Sequence, residues 1–121
     1  MIELSSLNHT WLIDVDGTIV KHNGYKIDGY DTLLDGVKEF FDNIPSGDKI
    51  ILITARKKEF LEDLKTFLNK NNIKYDYILT DIPMGERILI NDKKPSGLNT
   101  AIAKNLNRNE FMVSYRINED I

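Results

Sequence analysis

The chain has no cysteine, so disulfides, thiolate metal sites and a cysteine nucleophile are excluded. Nowhere do 18 apolar residues occur together, and the opening "MIELSSLNHT" has no basic stretch leading into an apolar run. No membrane span or leader is therefore expected, and the cytoplasm is the default location. No charge of one sign dominates: 16 Lys and Arg stand against 19 Asp and Glu, a net charge of -3 without any block of like charge. A nucleic-acid surface built on electrostatics alone is not expected, and no nucleic-acid partner is assigned on this basis. Internal repeats, low-complexity tracts and linkers rich in Pro, Gly or Ser are also lacking. What remains is 121 residues, 41% hydrophobic and 29% charged, the length and mix of one globular domain spanning 1–121.

Short apolar runs without polar alternation mark strands covered on both faces. "TWLIDV" (10 to 15) and "KIILIT" (49 to 54) are the strongest, "YDYILT" (75 to 80) and "RILIN" (87 to 91) repeat the pattern, and "FMVSYRI" (111 to 117) reads as a last edge strand. Helical spacing lies between them. Leu33, Val37, Phe40 and Phe41 form one stripe, and Phe60, Leu61, Leu64, Phe67 and Leu68 another, with the lysines from 57 to 70 on its solvated side. "GLNTAIAKNL" (97 to 106) gives a third, shorter helix. Alternating strands and helices predict right-handed crossovers and an α/β fold, a mostly parallel sheet with helices on both faces.

Folds of this class bind ligands at the carboxyl ends of their strands. Asp14, Thr54 and the pair Asn91-Asp92 all close strand runs, which places them on one rim. A charge at the end of a buried strand is costly unless something pairs with it. Asp14, Asp16 and Asp92 together make an oxygen-rich cluster suited to Mg²⁺, which takes one or two carboxylates and completes its shell with water and phosphate oxygens. One carboxylate could then attack phosphorus while the other moves a proton. Thr18, Thr54 and a lysine or arginine are the candidate donors to the phosphate.

"DVDGT" at 14 to 18, "ILIT" ending at Thr54 and "ILINDKKP" with Asn91-Asp92 resemble, in order and spacing, motifs one, two and four of the haloacid dehalogenase superfamily of phosphohydrolases. The resemblance implies a three-layer Rossmann-like domain and a Mg²⁺-dependent phosphatase working through an aspartyl phosphate. It makes Asp14 the nucleophile and Asp16 the general acid/base that also offers its carbonyl to the metal. Thr54 and its neighbour Ala55 become phosphate ligands, Asp92 a metal ligand supported by Asn91, and Gly17 and Thr18 the turn and a backbone donor.

Two departures qualify the pattern. The lysine or arginine of motif three is missing ahead of motif four, where Ile82 precedes Pro83, so Lys94 or Arg87 must substitute. Arg87 opens its run ~10 to 13 Å of backbone from the tip at about 3.3 Å per residue, whereas Lys94 follows the tip directly and is preferred. The second departure is the lack of a cap domain. Residues 20 to 30, "VKHNGYKIDGY", are long enough only for a small flap hairpin turning at Asn23-Gly24. An open site of this kind implies a large substrate, or a homo-oligomer in which a neighbour covers it.

Within the flap His22 is the better substrate contact of the two histidines, His9 reading as structural. Arg56 reads as a residue that faces solvent or caps a carboxylate. The expected partner is a small phosphorylated metabolite such as a sugar, polyol or amino-alcohol phosphate. A phosphoprotein or nucleic-acid end is the alternative, and a non-catalytic phospho-acceptor or binding module the second, although a receiver has no need of Asp16.

Overall fold

The computed structural model describes all 121 residues. In chain order its elements are β1 (Ile2–Leu4), β2 (Thr10–Asp14), α1 (Gly24–Ile27), α2 (Val37–Asp42), β3 (Lys49–Ile53), a 3₁₀ turn (Lys58–Phe60), α3 (Leu61–Lys70), β4 (Tyr77–Leu79) and β5 (Tyr115–Ile117). Every strand pair is parallel, and the fold is α/β and Rossmann-like, as the alternating pattern implies. No helix is long and apolar enough to cross a membrane. The residues form two compact units: Asn8–Pro83 with Leu106–Met112, and Met1–Leu7 with Met84–Asn105 and Val113–Ile121.

The larger unit is built on the sheet β2-β3-β4. Its register pairs Trp11 with Ile50, Ile13 with Leu52, and Leu52 with Ile78. Because side chains alternate along a strand, these residues share one face. Val37 and Phe41 of α2 and Leu64 and Leu68 of α3 close over that face in a single core, and Phe40 meets Trp11 edge-on at 5.5 Å. Strands taken in sequential order with right-handed crossovers put both helices on the same side. The other face carries Leu12, Tyr77 and Leu79, all exposed. Helical cover thus lies on one face rather than the two expected, since the third helix, over 97 to 106, does not form and all of that segment but Leu106 belongs to the other unit.

The smaller unit pairs β1 with β5, matching Ile2 to Tyr115 and Leu4 to Ile117, and Arg116 forms an ion pair with Glu3. The run 87 to 91 has no strand partner, and Ile88 and Ile90 are 81% and 91% exposed. Apolar β-branched residues favour a strand only where a ladder and a packing surface receive them. The ten residues from 97 to 106 likewise fall below the length at which a helix holds without tertiary packing.

Asp48 ties down the amino ends of β2 and β3. Its carboxylate accepts from the His9 N–H at 2.9 Å, His9 Nδ1 at 3.0 Å and Trp11 Nε1 at 2.9 Å, giving His9 a structural role. Burial alone would raise the Asp48 pKa, but the bonds from Trp11 and His9 outweigh it and hold the group below its ordinary value. A depressed folded pKa stabilises above the unfolded value, about 4, and that contribution is lost as pH falls through the lower folded value. Asp48→Asn is expected to cost about 1–3 kcal/mol near neutral pH in urea unfolding. The gap to wild type should shrink below about pH 4.

Candidate active site at the carboxyl end of β2

The ladder of β2 continues one residue past Asp14, with Val15 N–H donating to the Ile53 carbonyl at 3.1 Å. The chain then turns back on itself. Gly17 sits at φ +81°, a region that residues with a Cβ rarely adopt, and its N–H donates to the Val20 carbonyl at 2.8 Å. Thr18 N–H donates to the Val15 carbonyl at 3.2 Å, and Ile19 and Val20 are fully buried, which anchors the turn in the core. Both amides are therefore used inside the turn, so the free backbone donor expected at Gly17 and Thr18 is not there. The Thr18 hydroxyl does reach the site: its Oγ1 donates to Asp14 Oδ2 at 3.0 Å.

Asp16 is the centre of a second network. Thr54 Oγ1 donates to it at 3.2 Å, Arg56 Nε at 3.1 Å and Arg56 NH2 at 2.8 Å. The same guanidinium donates to Asp31 through NH1 at 3.0 Å and NH2 at 2.7 Å, and it lies 3.9 Å from the centre of the Tyr25 ring. Side-chain exposures are 3% for Arg56, 6% for Asp31 and 17% for Asp16. Burial would lower the Arg56 pKa, but the hydrogen bonds to Asp31 and Asp16 more than reverse this and hold it above its ordinary value. Arg56 thus caps a carboxylate, and in fact two.

The Arg56 N–H donates to Thr54 Oγ1 at 3.1 Å. Thr54 is fully buried with its hydroxyl engaged on both sides, and the half-buried Ala55 follows it into the loop.

The segment 20 to 30 does not turn as a hairpin at Asn23-Gly24. Asn23 adopts the left-handed conformation at φ 54°, but Gly24 opens the one-turn helix α1, and the Asn23 carbonyl accepts from the N–H groups of Lys26 and Ile27. The two arms meet antiparallel farther out, where the Lys21 N–H donates to the Thr32 carbonyl and the Leu34 N–H to the Ile19 carbonyl, both at 2.9 Å, around the bridge of Val20 to Leu33, which also removes Leu33 from the helix expected around it. Asp31, two residues before Leu33, is drawn onto Arg56. No pattern in the sequence marks Asp31 or Tyr25 as its partners; the only signal is a buried arginine's need for acceptors.

A further turn lies against Gly17. Asn109 N–H donates to the Gly17 carbonyl at 2.8 Å, and the His22 N–H donates to Asn109 Oδ1 at 2.7 Å. Arg108 and Asn109 were not singled out by sequence reasoning, because nothing local links position 108 to position 17.

The structure therefore brings Asp14, Asp16, Gly17, Thr18, Thr54 and Ala55 together in the larger unit. Asn91, Asp92, Lys94 and Arg87 belong to the smaller one. There the Asn91 side-chain amide donates to Thr100 Oγ1 at 2.7 Å, and that hydroxyl donates to the Asp92 carbonyl at 2.6 Å. Lys94 opens a turn, accepting from Gly97 N–H at 2.8 Å and donating to the Leu98 carbonyl at 3.1 Å. The structure presents no group of three or more His, Cys, Asp or Glu side chains placed to hold a metal. The donors that do stand together, Asp14 and Asp16, are hard oxygen ligands in the number that a largely hydrated Mg²⁺ uses.

The larger unit thus carries two carboxylates on a tight turn at the tip of a parallel strand. No family model matches the chain, and no curated protein matches it. Two solved structures are similar. One is a chain of the "Structure of the Pnkp1/Rnl/Hen1 RNA repair complex", 28% identical, with a TM-score of 0.52, covering 72% of this chain and 30% of that one. The other is a chain of the "Structure of Pnkp1/Rnl/Hen1 complex", 26% identical, with a TM-score of 0.51, covering 69% of this chain and 32% of that one. The match takes in less than a third of either of those chains.

Proposed function

We propose that the chain is a phosphatase of the haloacid dehalogenase type, which removes a terminal phosphate by transfer to Asp14, and that this phosphate stands at the end of a nucleic-acid strand. The observation that carries the chemistry is the pairing of two carboxylates on one turn with different partners. Asp14 is held by a hydroxyl and Asp16 by a hydroxyl and a guanidinium. Thr18 fixes the rotamer of the nucleophile, so that attack needs little reorganisation. The resemblance gives Asp16 the proton transfer: for this it must part from Arg56 and take up a proton from solvent, which it gives to the departing alcohol, and it later takes one from the water that splits the intermediate.

Mg²⁺ would be held by Asp14 and Asp16 and would supply neutralisation of charge on the transferring group. The choice of a nucleic-acid end over a small metabolite is supported by the RNA repair complexes to which the chain is similar. The sequence, with no insert long enough for a cap, leaves a site that a long substrate can enter. A net charge of -3 does not oppose this, because strand contacts depend on local cations.

The test is phosphate release from single-stranded oligonucleotides carrying a terminal phosphate and from a panel of small phosphomonoesters, with Mg²⁺ and after exhaustive chelation. Release from the oligonucleotide that stops on chelation and returns with Mg²⁺ is expected. Full activity without metal contradicts the metal assignment, and activity confined to small metabolites returns the substrate to that class. No release from any phosphomonoester leaves a non-catalytic binding module.

A further inference from the structure

Two positively charged side chains of the larger unit stand near the acids, and they differ in availability. Arg56 is buried, with its guanidinium occupied by Asp16 and Asp31. Arg108 is exposed and takes part in no ion pair. The backbone turn that carries it is nevertheless fixed in place. The tight turn 107 to 110 is closed by Glu110 N–H donating to the Asn107 carbonyl at 3.1 Å, with Asn109 at φ 65°. Asn109 then clamps this turn to the acid-bearing loop from both sides, through its N–H to the Gly17 carbonyl and through its Oδ1 to the His22 N–H. A methyl group at position 17 would lie 3.4 Å from Arg108 Cγ and 3.6 Å from His22 Nδ1, so the Arg108 stem and the His22 ring both lie beside Gly17.

The Arg108 stem crosses Gly17, yet its head pairs with neither Asp14 nor Asp16, which a guanidinium within reach of either carboxylate would do. Its stem thus lies beside the acid-bearing turn, and its charge is not taken up by the acids. An exposed guanidinium without a carboxylate partner, on a stem packed beside Gly17, suits a phosphate other than the one that Asp14 attacks, because its planar fork matches phosphate oxygens in pairs.

The geometry points to Arg108 as the residue that selects a nucleic-acid strand over a small phosphomonoester, by holding the phosphodiester next to the terminal phosphate, with His22 beside it. The inference rests on the phosphatase reading above and names how its substrate class is recognised. A small ester has no second phosphate for Arg108 to hold, so the residue acts on the preference between substrates.

The experiment compares wild type, Arg108→Ala and Arg108→Lys on a 5′- or 3′-phosphorylated single-stranded oligonucleotide and on p-nitrophenyl phosphate. Melting temperatures are recorded for each variant. In Arg108→Ala the ratio of kcat/KM for the oligonucleotide to kcat/KM for p-nitrophenyl phosphate should fall by about tenfold or more, mainly through KM. The slope of log KM for the oligonucleotide against log salt should also flatten by about 0.7, the value for one lost contact to a single strand. Arg108→Lys should keep the wild-type slope. An unchanged ratio, or a parallel fall on both substrates, overturns the assignment while leaving the phosphatase reading in place. Wild-type protein that releases phosphate from neither substrate overturns both.

Discussion

Asp14→Asn should lower turnover by roughly 10³-fold or more while leaving stability within about 1 kcal/mol of wild type. The amide has the shape of the carboxylate and can still accept from Thr18 Oγ1, so the turn after β2 has no cause to rearrange. What it lacks is the negative oxygen that attacks phosphorus, and no second carboxylate on the turn can replace it, because Asp16 is held by Thr54 and Arg56. Asp16→Asn should also lower turnover by orders of magnitude, though for another reason: the nucleophile survives but proton transfer is lost. Initial-rate assays together with thermal melts separate a lost reaction from a lost fold. An Asp14→Asn protein working near the wild-type rate would contradict the aspartyl-phosphate route.

Arg56→Ala should be the most damaging single change to stability, at about 3–5 kcal/mol, because it leaves the buried Asp31 and the mostly buried Asp16 without their cation. That is a large part of the roughly 5–15 kcal/mol that holds a domain of this size together. Loss of the Tyr25 stacking contact adds to it. Asp31→Asn should be milder, about 1–3 kcal/mol, since the amide oxygen still accepts one bond. Replacing Arg56 and Asp31 together by leucine should recover part of the loss, as a buried charge is then no longer stranded. Urea unfolding of the three variants checks the order. A cost below about 1 kcal/mol for Arg56→Ala would mean that the cluster is wetter than its geometry indicates.

The parts of this fold legible in the sequence are those whose pattern and whose partner agree. "TWLID" and "KIILI" are apolar throughout and pair in register along five residues, so local preference and ladder point the same way. The stripes of Val37 and Phe41 and of Leu64 and Leu68 fix α2 and α3 because each meets the same core. "RILIN" carries the same local signal as β3 but has no strand beside it, and pattern alone cannot supply one. Asn23-Gly24 misled for a related reason. The left-handed residue is present, yet the path of the chain beyond it is decided by Asp31 reaching Arg56 and by Val20 bridging Leu33. In the site, Asp14, Asp16 and Thr54 were visible because two strand tips carry them. Asp31, Tyr25 and Arg108 were not, because their contacts cross 25, 31 and 91 positions of chain and leave no periodic trace.

The central claim is that Asp14 carries the phosphoryl group during the reaction. Acid quenching of a single turnover with Mg²⁺ and a phosphorylated oligonucleotide, then peptide mass spectrometry, measures it directly. The account predicts the mass of one phosphoryl group on the peptide containing Asp14, localised to that residue, transient in wild type and longer-lived in Asp16→Asn. Phosphate released without any such adduct in either protein, or an adduct found on another residue, would contradict it.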